Sequence, residues 1–140
     1  MPTKNVLVPI DGSPNALRAL KHAADRVRDS SHTTLLLLNV QPGIPPSRFV
    51  KPAMIKEHHQ HMSEEALAPA RALAKKAGVM FDCYFRVGDP ATVIASFAQK
   101  SQCREIIMGT RGLGRVRGLL LGSVATKVIS LTDIPITLVK

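Results

Sequence analysis

Short apolar runs of strand length alternate with helical stretches along the whole chain. That alternation restricts the fold to an α/β class with a mostly parallel sheet, right-handed crossovers and helices on both faces. The first run, Val6-Leu7-Val8-Pro9-Ile10, ends at Asp11-Gly12-Ser13-Pro14, where Ser13 suits a helix N-cap and Pro14 the first helical position. Ala16, Leu17, Ala19, Leu20, Ala23, Ala24 and Val27 then recur at helical spacing. Leu35 to Val40 is a second buried strand, and Gln41 to Pro52, with four prolines and a glycine, is a connection that leaves the sheet. Helical spacing returns from Ile55 to Ala77, with Pro69 predicting a kink or break and Gly78 a C-terminal stop. Val79, Phe81, Cys83, Phe85 and Val87 alternate with wetter positions, as an edge strand would. Asp89-Pro90 opens a third helix, Ile106-Ile107-Met108 forms a fourth strand, Val124 to Ile129 a fourth helix and Ile134 to Val139 a fifth strand.

A chain of 140 residues with 45% hydrophobic and 21% charged side chains fits a single globular domain, here residues 1–140, with no internal repeat or low-complexity tract. Aromatic residues make up only 4%, so the core must be built from Leu, Ile, Val and Ala, the usual filling of a covered parallel sheet. Cys83 and Cys103 lack zinc or redox spacing and are expected to be reduced thiols. The amino-terminal residues lack the pattern of a signal peptide, and no run reaches the ~20 apolar residues of a membrane span, so a cytoplasmic location is expected. The net charge of +9 favours phosphate-bearing ligands without choosing among nucleotide, nucleic acid and anionic lipid.

In folds of this class ligands sit beyond the carboxyl ends of the strands, which directs attention to the segments after Ile10, Val40, Val87 and Met108. The last of these, Gly109 to Ser123, is both glycine-rich and basic, with Arg111, Arg115 and Arg117. Glycines let backbone N–H groups approach an anion, and Ser123 stands where the fourth helix begins and adds its positive end. Phosphate is the natural occupant. The segment has neither the Gly-Lys-Ser/Thr of a Walker A loop nor the position of a dinucleotide fingerprint.

Gly109, Gly112, Gly122 and Ser123 follow the spacing G-x2-G-x9-G-S/T. Together with Val8-Pro9-Ile10-Asp11-Gly12-Ser13, Val87-Gly88-Asp89-Pro90 and Leu120-Leu121-Gly122-Ser123-Val124, they make the whole chain resemble the ATP-binding members of the universal stress protein family. Thr110-Arg111 stands where many relatives have Ser-His or Ser-Arg, which keeps a hydroxyl and a basic group. The resemblance implies a doubly wound five-stranded parallel sheet in the order 3-2-1-4-5, dimerised through the last strand. It also implies ATP, with Mg2+ carried on the phosphates, as the ligand. Pro9 and Asp11 would line base and ribose, Val40 would meet adenine through its backbone, and Met108 and Gly109 would flank the sugar. Gly112, Gly122, Ser123 and Val124 would hold phosphates, with Arg111 adding charge.

Other polar residues are weighed against this site. Asp11 is a turn former on the bland reading and a ligand contact on the other. His58, His59 and His61, with Glu57, Glu64 and Glu65, are expected to form a solvated helix face rather than a metal site. Ser13, Ser47, Ser96 and Ser123 lack a base or nucleophile-elbow context, so no catalytic residue is assigned and at most slow ATP hydrolysis is expected. Three functions remain in view: an ATP-dependent stress or signalling regulator with an unknown protein partner, a basic binder of nucleic acid or anionic membrane, and a weak adenine-nucleotide hydrolase. The absence of aromatic stacking platforms weighs against the second.

Overall fold

The computed structural model describes residues 3–111 and 121–140. In chain order its elements are β1 (Lys4–Pro9), α1 (Pro14–Val27), β2 (Thr33–Gln41), α2 (Pro52–Ala77), β3 (Met80–Val87), α3 (Pro90–Lys100), β4 (Cys103–Gly109), α4 (Ser123–Leu131) and β5 (Ile136–Val139). The strands form one sheet in the order β3-β2-β1-β4-β5, every neighbouring pair parallel. Strands β3 and β5 are the edges.

Alternate residues of each central strand feed two cores. Val6, Val8, Leu35, Leu37 and Ile107 pack with Ala19, Leu20, Ala23 and Ala24 of α1 and Leu67, Ala70 and Ala74 of α2. Leu7, Leu36, Leu38, Ile106 and Met108 pack on the opposite face with Ala91, Ile94 and Ala98 of α3 and Ala125 and Val128 of α4. Alanine on the helix faces keeps the layers close, which is how a chain so poor in aromatic residues fills its interior. The first two helices thus cover one face and the last two the other. The winding reverses between β1 and β4, and a crevice opens at the carboxyl ends of those strands.

Local signals explain most boundaries. Ser13 Oγ accepts from the Ala16 amide (3.1 Å) and caps α1, with Pro14 in the first turn. Asp89 Oδ2 accepts from the Thr92 amide (3.1 Å) and caps α3, with Pro90 following. Gly78 takes φ +72° at the end of α2, and its amide closes the last turn. Helix α2 departs from expectation in two ways. Helix α2 starts at Pro52 rather than Ile55, because proline suits a first helical position. It also runs without a break through Pro69, where a kink or break was expected. Proline removes a single backbone bond, and the buried Ser63, Ala66, Leu67, Ala70 and Ala74 hold α2 against the protein on both sides of it.

Strand β5 is fastened by a polar cluster as well as by its ladder. Arg26 of α1 grips Glu105 of β4 with two bonds (2.8 and 3.0 Å), and the Thr137 hydroxyl of β5 donates to the same carboxylate (2.5 Å). Burial pushes the Glu105 pKa up, but the bonds from Arg26 and Thr137 outweigh it and leave the carboxyl below its ordinary range.

Candidate functional site

The crevice at the winding reversal holds a cavity of about 260 Å³. Its walls come from four places in the sequence: Pro9, Ile10 and Asp11 after β1, Leu38 and Val40 from β2, Met108 to Arg111 at the end of β4, and Gly122 to Ala125 at the start of α4. Pro90 and Ile94 of α3 close one side. Nine of the ten residues assigned from sequence therefore line one cavity, namely Pro9, Asp11, Val40, Met108, Gly109, Arg111, Gly122, Ser123 and Val124. Gly112 lies outside the described residues, as do Arg115 and Arg117.

Each wall is held by bonds that can be traced to the sequence. Asp11 Oδ1 accepts from the Ser13 amide (2.9 Å), so Asp11 does form a turn, and it does so at the cavity wall. Gly12 takes φ +87° within this turn, with Ala66 of α2 packed beside it. The Asn39 amide group donates to the Ile10 carbonyl (2.7 Å) and Gln41 donates to Asn39 (2.7 Å), which locks the exit of β1 to the end of β2.

Asn15 is a site-building residue that sequence reasoning missed. It is 4% exposed, its side-chain nitrogen donates to the Val139 carbonyl (2.9 Å), and its oxygen accepts from the Arg111 amide (2.8 Å). One side chain in the first turn of α1 thus fixes both the start of the glycine-rich segment and the end of β5. An asparagine after Ser-Pro carries no local signal of this, because its partners are 124 and 96 residues away in sequence. The Thr110 amide donates to the Val139 carbonyl (2.9 Å), and the Gly122 amide donates to the Thr110 carbonyl (2.6 Å), which joins the end of β4 to the start of α4.

The chemistry of the cavity is two-sided. Pro9, Val40, Ile94 and Met108 offer apolar lining, while Asp11, Thr110, Arg111 and Ser123 bring polar groups to the same cavity. Gly122 is the N-cap of α4 and has no side chain to bond the first helical amides, so among the described residues no side chain caps the positive end of that helix, which faces the cavity. An apolar slot beside an uncapped helix start suits a ligand with a flat base and an anionic tail.

Asp89, next to the lining residue Pro90, sits at the entrance of α3 and also binds Lys127 of α4 (2.9 Å). The Thr92 hydroxyl (2.7 Å), then Lys127 and the Thr92 amide, hold its carboxyl down at about 2, against an ordinary value of 3.8. A depressed folded pKa means that this contribution to stability is complete above about pH 4 and is lost as pH falls through 2. Carbon-detected NMR of the carboxylate is expected to give a midpoint near 2, and Thr92→Val and Lys127→Ala each to raise it. A wild-type midpoint near 3.8 would mean that these bonds do not persist in solution.

The histidines of α2 depart from expectation. His59 is buried, 5% exposed, and its Nε2 lies 3.0 Å from the Pro42 carbonyl, because the segment after β2 folds back over this helix. The solvated-face reading therefore fails for His59, while His61 is exposed and lies 3.7 Å from Glu65. No cluster of three metal-ligating side chains occurs among the described residues, and no described helix is long and apolar enough to cross a membrane.

Comparison with known proteins gives the family. A family model described as the universal stress protein family matches residues 2–140. The chain is 33% identical to universal stress protein MJ0531 of Methanocaldococcus jannaschii, over 98% of this chain and 82% of that one. The solved structure of the protein designated MJ0577 superposes with a TM-score of 0.80 at 28% identity, covering 100% of this chain and 97% of the other. A universal stress protein crystallised in complex with cAMP superposes with a TM-score of 0.74 at 26% identity, covering 100% and 99%. With the family model and solved relatives alike spanning essentially the whole chain, the protein belongs to the universal stress protein family.

Proposed function

We propose that the chain binds ATP, with Mg2+ carried on the phosphates, and acts as a nucleotide-dependent stress or signalling regulator. The observation that carries this reading is the convergence of Pro9, Asp11, Val40, Met108, Gly109 and the α4 entrance on one cavity at the winding reversal. A relative of the same fold that is crystallised with cAMP supports an adenine nucleotide as the ligand class. In this reading the base lies against Pro9, Val40 and Met108, and Asp11 accepts from the ribose. The phosphates face the Ser123 and Val124 amides, the Ser123 hydroxyl and Arg111. The Gly122 amide is already donated to Thr110, so the phosphate donors begin at Ser123. Gly112 belongs to the same proposal through the glycine spacing alone.

Calorimetric titration of ATP and AMP in Mg2+ buffer tests the reading. Ser123→Ala is expected to weaken ATP about ten- to a hundredfold, the effect of losing one hydroxyl that bonds a charged group. A failure of the wild-type protein to bind either nucleotide would end the proposal. The competing view, a basic surface for nucleic acid, predicts affinity that falls steeply with salt, whereas a nucleotide held by backbone amides depends on salt far less.

Strand β5 supports a homodimer as part of the same proposal, since it is an edge of only four residues with Ile136, Leu138 and Val139 half-buried. Light scattering at micromolar concentration is expected to give twice the 15.1 kDa chain mass. A monomer mass would remove β5 as an interface.

A further inference from the structure

The segment between β2 and α2 builds a second feature that the nucleotide site does not use. Its tip is a formed turn in which Ser47 and Val50 exchange backbone bonds (2.9 and 3.2 Å) and Ser47 Oγ accepts from the Phe49 amide (3.2 Å). The turn holds Phe49 outward at 78% exposure, with the Arg48 guanidinium 5.1 Å over its ring. Its root is anchored where His59 meets the Pro42 carbonyl (3.0 Å). Between the part of the segment that precedes the tip, the first turns of α2 and the end of β3 runs an open groove of about 380 Å³, lined by Ile44, Pro46, Ile55, Lys56, Phe85 and Val87. Exposed Val50 and Met54 join Phe49 in extending the apolar surface beyond the groove.

An exposed apolar patch on a structured segment marks a contact surface, and an outward aromatic beside an open groove is the arrangement of interface anchors. A small molecule in the groove would leave Phe49 and Met54 in water, whereas a partner surface would cover all of it. Charge narrows the partner. Lys56 lines the groove, Arg48 and Lys51 belong to the exposed segment that leads from it into α2, and Glu57 is the single carboxylate between residues 41 and 60. The carboxylates Glu64 and Glu65 lie further along α2, beside Arg71 and His61.

We propose that this groove, with the Phe49 tip, docks a segment of a partner protein that carries a large apolar side chain flanked by aspartate or glutamate. The apolar side chain enters between Ile44, Ile55 and Val87, Phe49 packs over it, and the flanking carboxylates meet Lys56, Lys51 and Arg48. The proposal rests on surface chemistry and is independent of nucleotide binding at the other cavity.

Selection of a phage-displayed library of random twelve-residue peptides against the full chain tests it. Enriched peptides are expected to carry Leu, Ile or Phe next to Asp or Glu, and synthetic copies to bind with an affinity that falls as salt rises. Phe49→Ser is expected to weaken them at least tenfold and Lys56→Glu at least threefold. Both side chains are exposed, so the variants keep the fold, which circular dichroism checks. Amide shifts on peptide addition are expected at residues 43–59 and 85–87. Absence of enrichment, enrichment of neutral or basic peptides, or equal binding to both variants would overturn the proposal. Phosphatidylglycerol vesicles form a separate arm. Binding to vesicles that is lost in both variants, with no peptide enriched, would assign the surface to membrane and overturn the protein partner.

Discussion

Gly109→Ala is expected to destabilise the protein by about 3 kcal/mol and to remove nucleotide binding with it, a large loss for one methyl group. A Cβ at this position would lie 2.7 Å from Asn15 Cγ and 3.2 Å from the Asn15 carbonyl carbon, and closer still to Asn15 Oδ1. Rotating the Asn15 side chain would clear its own atoms but leave the tight 3.2 Å approach to its carbonyl carbon. Moving it would break its bonds to Val139 and Arg111, which are what hold the base of the glycine-rich segment. Overpacking of a tight interior costs about 1–3 kcal/mol, and each buried polar group left without its partner adds about 1–3 kcal/mol. Urea denaturation of the alanine variant measures the sum directly. A loss below about 0.5 kcal/mol, the usual range for neutral surface changes, would mean that β4 and α1 do not meet as closely as described.

The central strands were legible because their residues are buried on both sides, which leaves continuous apolar runs such as Leu35 to Leu38. The entrances of α1 and α3 were legible because Ser13-Pro14 and Asp89-Pro90 act within one turn of themselves. Strand order was not written in that local code. Alternation of strand and helix fits several windings, and the order 3-2-1-4-5 came with the family resemblance. What escaped the sequence acts at long range. Asn15 works on Arg111 and Val139, and His59 is buried because the chain returns over α2 at Pro42. Pro69 does not break α2, because a local rule about one missing bond takes no account of the buried residues that hold the helix on either side of it. Nine of the ten residues expected at the site come together at one cavity because a glycine spacing and a strand-end carboxylate record positions on the fold. The groove beside Phe49 left no comparable trace, since its walls come from a loop, a helix and a strand with no shared pattern.

Gly122→Asp is expected to leave the fold intact, slightly stabilised, while lowering ATP affinity a hundredfold or more. Gly122 takes φ −74° and ψ 166°, an extended conformation open to any residue, so the backbone does not require glycine here. It is the N-cap of α4, where aspartate is among the preferred residues and gains a few tenths of a kcal/mol over glycine by accepting from the first helical amides. Those amides are the ones assigned to phosphate. An aspartate carboxylate would therefore satisfy the helix and fill its anion site in the same step, and it would bring a negative charge to where the phosphates must come. Two like charges about 4 Å apart at an effective dielectric near 20 repel by roughly 4 kcal/mol, which alone exceeds a hundredfold in affinity. Gly122→Ala separates bulk from charge, because alanine adds a methyl group but neither caps the helix nor repels phosphate. Thermal melts should place the aspartate variant at or above the wild-type midpoint, and calorimetry should find ATP binding lost there and largely kept in the alanine variant. If the aspartate variant binds ATP as the wild type does, the phosphates do not sit at the start of α4, whatever else the cavity holds.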